Sequence, residues 1–161
     1  MQMKMVQMMY LSDGKQLMDF VKEEDKAVFK SFLSENIKSI NLEMLIRFKP
    51  FAISSMLIPN YLDCPVPQAY DMMLMQQAQA KQLPIIGLET VEEQMAIFDA
   101  IPIDEQIADL VKTAKDTTNF YEKQFDQLVE AYESENLQGL ERSFEEDESI
   151  MSSYNDELLD Q

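Results

Sequence analysis

The segment Gly87-Leu88-Glu89-Thr90-Val91-Glu92-Glu93-Gln94 holds the residues best placed to do chemistry. In it an apolar run delivers the carboxylate of Glu89 directly to the start of a helix. Open α/β sheets place their sites at the carboxyl ends of buried strands. We therefore take Glu89 as the candidate catalytic residue. The alternative is that Glu89 is simply solvated at a strand end, while Gly87 allows tight packing.

The residue types that the chain lacks exclude several kinds of active site. The chain contains no histidine, one cysteine and three glycines. Ser/His/Asp and Cys/His nucleophile systems and HExxH zinc sites are therefore excluded within this chain. Carboxylate pairs are abundant, but no pair can be assigned as acid and base without a pocket that shifts their pKa values. We expect no cofactor in this chain, and any metal ligands are unknown.

Three further features have simple structural interpretations. The methionines of residues 1–10 could suit Cu(I), but no Cys or His accompanies them, so we expect core packing. Cys64 is expected to be a small buried hydrophobe beside Pro65. The acidic run 145–148 is expected to be a solvated turn, because it lacks the ligand spacing and the glycine of an EF-hand loop.

The charge distribution narrows the range of partners. The formal net charge is −17, and residues 116–161 carry fourteen Asp or Glu against Lys123 and Arg142. Such a surface repels phosphate, so nucleic acid and anionic membrane surfaces are poor partners. The apolar N-terminal stretch is short and interrupted by Lys4, and no other stretch approaches the roughly 20 apolar residues of a spanning helix. We therefore expect no membrane insertion by this segment.

The elements that must position Glu89 are predicted to be mainly α-helical. Met, Leu, Gln, Glu, Lys and Ala dominate, and these side chains lose little rotamer freedom on a helix. The single predicted strand is residues 83–89, whose continuous apolar character suits burial on both faces, as in a parallel sheet. A lone strand is not stable by itself. This strand therefore implies partners and indicates that the chain is part of something larger.

Helices are predicted on both sides of that strand. Thr90 and Glu93 form the pattern of a capping box, followed by a helix at 91–100. The longest helical pattern spans about 103–134, which predicts either a helix that bends near Thr117-Thr118 or one arm of a helical hairpin. The other predicted helices are 1–10, 15–21, 23–36, 42–48, 51–57, 68–81 and 137–144. In the helix at 68–81 the side chains predicted to face inward are Tyr70, Met73, Leu74 and Ala78.

Three strings carry a resemblance to a known family. The string LPIIGLETVEEQMAIFDAIPIDEQ at 83–106 resembles the central signature of TraB/GumN proteins, which are related to the TIKI metalloproteases. The strings MMYLSDGKQLMDFVKEED and LIRFKPFAISSML precede it in the order and spacing typical of that family. The resemblance covers essentially the whole chain. It implies that residues 1–161 are a single partial domain, the helical middle portion of an α+β domain.

The resemblance also implies a chemistry. Family members carry a Gly-x-x-His motif towards each end and an Arg-Asn-containing helix, on which a metal-dependent hydrolase or peptidase site draws. This chain has neither Gly-x-x-His end, and only Glu89 maps onto a motif position that could serve a site. The resemblance therefore implies a divalent metal in a full-length protein and no activity in this chain alone. Similar proteins are often bacterial and found in the envelope or anchored by lipid, but this chain carries no such signal.

Two hypotheses follow. The first is a segment of a TraB/GumN-type hydrolase in which Glu89 contributes to a site completed by sequence outside the chain; it predicts an exposed edge at 83–89. The second is a non-enzymatic acidic helical interaction module that self-associates; it predicts a closed core and a stable oligomer. The expected partners are accordingly a second copy or the missing parts of the same domain.

Overall fold

The computed structural model describes residues 6–62, 64, 67–145 and 154, and this part of the chain is mainly helical, as expected. Its helices are, in chain order, α1 (Lys26–Asn36), α2 (Leu42–Leu45), α3 (Pro50–Leu57), α4 (Tyr70–Ala80), α5 (Val91–Ala100), α6 (Ile103–Lys115), α7 (Phe120–Glu133) and α8 (Leu137–Glu145). Single 3-10 turns lie at Leu17–Asp19, Glu23–Asp25 and Ile58–Tyr61. Residues 6–8 are helical, and the remainder of the predicted N-terminal helix, residues 1–5, lies outside the described residues.

The hydrophobic core lies where α6 packs on both α1 and α3. Helix α6 supplies Ile107, Leu110 and Val111, which share one face because they are three and four residues apart. They close over side chains that are fully buried, among them Leu17, Phe29, Leu33, Leu45 and Ile53. Burial of each such side chain contributes about 1.5–3 kcal/mol. Residues 17–57 and α6 therefore form one packed unit.

The long helical pattern at 103–134 is interrupted near Thr117-Thr118, which confirms one of the two alternatives predicted from the sequence. Helix α6 ends at Lys115 and α7 begins at Phe120. Between them the Asp116 carboxylate accepts hydrogen bonds from the amide and the hydroxyl of Thr118 and from the amide of Phe120. Asn119 has a φ of 54°, in the left-handed region that Asn tolerates better than most residues. The chain therefore turns at 116–119, and α7 then packs against α8.

The predicted strand at 83–89 is wrong. In the structure, residues 83–89 belong to no helix and no strand. Elsewhere in the described part of the chain, the β-type pairing is one isolated antiparallel bridge between Tyr10 and Phe48. The side chains of Leu83, Ile85, Ile86 and Leu88 are exposed rather than buried. The physical reason is that a strand needs a neighbour to accept and donate its backbone hydrogen bonds. The described residues supply no neighbour here.

The inward face predicted for the preceding helix is also wrong. Helix α4 contains no buried residue, and Tyr70 is 78% and Leu74 62% exposed. Met73 is exposed as well, and only Ala78 is partly covered. An isolated helix shorter than about 12–15 residues is marginal in water. Helix α4 therefore lacks, within the described residues, the packing that usually stabilises a helix of its length.

None of the described helices is both long enough and apolar enough to cross a membrane.

Candidate functional site

Glu89 is positioned by α5, which begins two residues later. Thr90 is the N-cap of α5, and its hydroxyl accepts a hydrogen bond from the Glu93 amide at 3.2 Å. The Glu93 carboxylate in return accepts from both the amide and the hydroxyl of Thr90, each at 2.7 Å. This reciprocal pair is the predicted capping box, and it is confirmed. It fixes the direction in which the chain enters α5, and therefore where Glu89 lies.

The capping box also acts on the acidity of Glu93. The hydrogen bond from the Thr90 amide, followed by that from the Thr90 hydroxyl, lowers the pKa of the Glu93 carboxyl below its usual 4.5. Both donors stabilise the charged carboxylate, and the helix N-terminus favours negative charge. Glu93 is therefore held as an anion by the structure of the helix start and is not available as a proton donor near neutral pH.

Helix α5 is in turn fixed to the core. The rings of Phe51 on α3 and Phe98 on α5 stack with their centroids 4.7 Å apart. The Lys49 ammonium forms an ion pair with the Asp99 carboxylate. The Gln106 side-chain amide donates to the carbonyl oxygens of Phe98 and Ile101, at 2.8 Å each. Glu89 therefore precedes a helix whose C-terminal end is anchored at several points.

The carboxylate of Glu89 is exposed to solvent. Its one hydrogen bond of normal geometry within the described residues comes from the Gln94 side-chain amide, which donates to Oε1 at 3.1 Å. This contact leaves Oε2 open to other groups. Glu89 can therefore accept a hydrogen bond or serve as one oxygen ligand, but nothing around it in the described residues creates the enclosed environment that a general acid or base needs.

A metal site is not assembled around Glu89. Among the described residues no group of three or more His, Cys, Asp or Glu side chains is arranged so that it could hold a metal ion. A catalytic zinc ion, for example, takes three protein ligands. The described residues therefore do not fit the metal that the family resemblance implies. Of the acidic run at 145–148, residues 146–148 lie outside the described residues.

Cys64, the only cysteine of the chain, is exposed, so its predicted burial is wrong. Its neighbour Pro65 lies outside the described residues. The apolar surroundings that the sequence suggested do not enclose the thiol. Cys64 is therefore a single exposed thiol, and no described residue assigns it a catalytic role.

Residues 70–88 form an uncovered apolar segment that begins with α4 and ends next to Glu89. Leu83 is joined to the end of α4 by a hydrogen bond from its amide to the Ala78 carbonyl oxygen, at 2.9 Å. Ile86 is 85% exposed, and the Leu88 side chain is completely exposed. Exposed apolar groups in such number mark an interaction surface more often than a solvated one. The sequence predicts burial of residues 83–89 and of Tyr70, Met73 and Leu74, because these stretches are apolar, whereas the structure exposes their side chains.

A second feature that sequence reasoning did not identify is a cavity of about 340 Å³ between α3, α6, α7 and α8. Its wall includes Tyr61, Leu110, Tyr121, Phe125 and Phe144. Burial raises the pKa of both tyrosines, and the Tyr121 hydroxyl is buried without a hydrogen-bond partner of good geometry in the described residues. The available signal in the sequence is the helical spacing of Tyr121 and Phe125 on α7, which by itself indicates only an apolar stripe.

Comparisons with known proteins place the chain in a family. No curated protein and no solved structure matches it. The model of the TraB/PrgY/gumN family matches residues 1–161, which is the whole chain. The match agrees with the GLETVEEQ string, whose capping box the structure contains. The chain therefore belongs to the TraB/PrgY/gumN family.

Proposed function

We propose that this chain contributes Glu89 to the site of a metal-dependent hydrolase or peptidase of the TraB type, and that it has no hydrolytic activity by itself. The observation that carries the proposal is the position of Glu89. Its carboxylate is open to solvent, is oriented by Gln94, and lies between an uncovered apolar segment and a capped, anchored helix. Because Glu89 directly follows Leu88, a group that packed on the end of this segment would lie next to Glu89.

The lack of further metal ligands among the described residues supports the claim that the chain has no hydrolytic activity by itself. One carboxylate does not form a catalytic metal site, and the described residues bring no second or third ligand to it. The described residues therefore do not complete the site, and in this proposal residues from outside the chain complete it. The resemblance implies that such residues include the histidines of Gly-x-x-His motifs.

The first experiment measures hydrolysis by the purified chain. A mixture of fluorogenic peptides is incubated with the chain and with Mn²⁺, Co²⁺ or Zn²⁺, and parallel samples contain a chelator. We expect no hydrolysis above the protein-free blank under any condition. Metal-dependent hydrolysis that disappears in the Glu89→Gln variant would overturn the claim that the chain is inactive alone.

The second experiment supplies the missing part. A TraB-family protein that has both Gly-x-x-His motifs, but in which the glutamate of its GLE string is replaced by Gln, is assayed with this chain added. We expect the wild-type chain to restore hydrolysis and the Glu89→Gln variant to fail. The Glu92→Gln variant is the matched control, because it makes the same change three residues away, and it should restore hydrolysis. Equal results for all three chains would refute a role for Glu89.

A second candidate function is self-association without catalysis, and one observation favours it. Residues 70–88 expose large apolar side chains that the described residues leave uncovered, while residues 17–57 and α6 share a packed core. Burying about 800 Å² per partner is typical of a stable interface. Sedimentation velocity over a range of protein concentrations tests this function: a single monomeric species up to high micromolar concentration would rule it out.

A further inference from the structure

We propose that the cavity between α3, α6, α7 and α8 binds a small organic cation, an ammonium group that carries apolar substituents. The cavity does not include Glu89, so a ligand in it is bound independently of the hydrolytic function proposed above. Three properties of the cavity support the proposal: its size, its aromatic wall and the sign of the charge around it.

The cavity has the size of a small-molecule site. Its volume is about 340 Å³, and three helices, the turn at Ile58–Tyr61 and the end of α8 surround it. Sites for small molecules usually have volumes of about 300–1,000 Å³ and mainly apolar walls with a few polar groups. The cavity opens to solvent. A small molecule can therefore enter it without unfolding the core.

Aromatic rings form much of the cavity wall. They belong to Tyr61, Tyr121, Phe125 and Phe144. The face of an aromatic ring is negative and attracts a cation that lies within about 6 Å of the ring centroid. The Lys112 ammonium, which is not part of the cavity wall, already lies 5.9 Å from the centroid of the Tyr121 ring. An ammonium ion that enters the cavity therefore meets aromatic rings in place of the water that it loses.

The charge around the cavity favours a cation over an anion. Among the described residues that line it, Asp109 is the one charged side chain. Helix α7, which forms one wall, carries four carboxylates and one lysine. Burial is the main cause that raises the pKa of Tyr61, and the negative charges of Asp116 and Glu122 raise it further. The negative potential that disfavours a phenolate favours an ammonium ion at the same place.

The same charges distinguish a free cation from the choline headgroup of a lipid. In such a headgroup a phosphate lies close to the quaternary ammonium. That phosphate would approach Asp109 and the carboxylates of α7, and like charges repel. The formal net charge of −17 opposes an anion at longer range as well. The ligand class that fits the cavity is therefore a free organic cation.

A matched set of ligands tests the role of charge. Choline and 3,3-dimethylbutan-1-ol have the same shape, but the alcohol has a neutral carbon in place of the charged nitrogen. NMR titration of the full chain at fixed ionic strength measures the Kd of each. We expect choline to bind at least about tenfold more tightly than the alcohol. Equal affinities, or no shift of the signals from the cavity residues with choline, would overturn the proposal.

Phosphocholine is the third ligand of the set, because it adds a phosphate to the same ammonium group. It should bind at least about threefold more weakly than choline. Tighter binding of phosphocholine would overturn the assignment to a free cation and would point to a lipid headgroup.

A pair of charge variants localises the site. Asp109→Asn removes the carboxylate of the cavity wall and keeps its shape, so it should raise the Kd for choline at least about threefold. Asp104→Asn removes the same charge from an exposed residue of α6 outside the cavity wall, and it should leave the Kd within about twofold of wild type. Equal Kd values for the two variants would show that choline binds elsewhere and would overturn the site.

A pair of ring variants tests the aromatic wall. Phe125→Leu keeps the side chain apolar but removes a ring, and it should raise the Kd for choline at least about threefold. Phe32→Leu makes the same change at another partly buried residue, on α1 and outside the cavity wall, and should not change the Kd. Far-UV circular dichroism checks that both variants are folded, and the Asp109→Asn result decides if Phe125→Leu is not. A folded Phe125→Leu variant that binds choline as tightly as wild type would refute the role of the rings.

Discussion

The Asp25 carboxylate is buried at the start of α1, with only 8% of the residue exposed, and forms an ion pair with the Lys115 ammonium at the end of α6. This ion pair joins α1 and α6, two of the three helices that form the core. The Lys115 side chain remains about half exposed, so the pair lies at the edge of the core and not inside it.

This arrangement predicts that Lys115→Met lowers the free energy of unfolding by about 1–3 kcal/mol, since it leaves a buried carboxylate without its partner. Lys38→Met removes the same charge from an exposed residue and should change stability by less than about 0.5 kcal/mol. Urea denaturation of the two variants measures the difference. Equal effects would mean that the ion pair contributes nothing specific.

A pair of Leu→Ala variants distinguishes the core from the uncovered segment. Leu33 is fully buried, so Leu33→Ala should lower the free energy of unfolding by about 2–5 kcal/mol. Leu74 is exposed on α4, and Leu74→Ala should cost less than about 0.5 kcal/mol. Both are measured by urea denaturation at a concentration below that of any self-association. A large loss from Leu74→Ala would show that α4 packs in the monomer.

The capping box predicts a pH dependence that can be localised. The folded-state pKa of Glu93 lies below its usual 4.5, so its contribution to the start of α5 is present above that pH and is lost as the pH falls through the folded-state value. NMR titration of the Glu93 side-chain carboxyl measures this pKa directly. Thr90→Ala should raise it towards 4.5 and cost about 1 kcal/mol of helix stability, whereas Thr90→Ser keeps the hydroxyl and should preserve it.

Local patterns in the sequence predicted much of this fold. The Thr90–Glu93 box, the helix after it and the turn near Thr118 depend on residues within a few positions of one another, so the sequence defines them directly. The prediction failed at Ile86 and Leu74, because an apolar side chain indicates that burial is favourable but does not identify what covers it. The same limit applies to Glu89: the capped helix after it could be predicted, whereas the strand expected before it and a metal site around it depend on partners brought together from distant parts of a chain.

The turn between α6 and α7 depends on Asn119, whose φ of 54° lies in the left-handed region. A β-branched residue is strained there, so Asn119→Val should lower the free energy of unfolding by about 1–2 kcal/mol. Asn119→Gly is the matched control, because glycine adopts this conformation without strain, and its stability should stay within about 0.5 kcal/mol of wild type. Thermal and urea denaturation of both variants provide the measurement. If Val and Gly were equally tolerated, residues 116–119 would not hold the turn in the left-handed conformation, and α6 and α7 could join as one continuous helix.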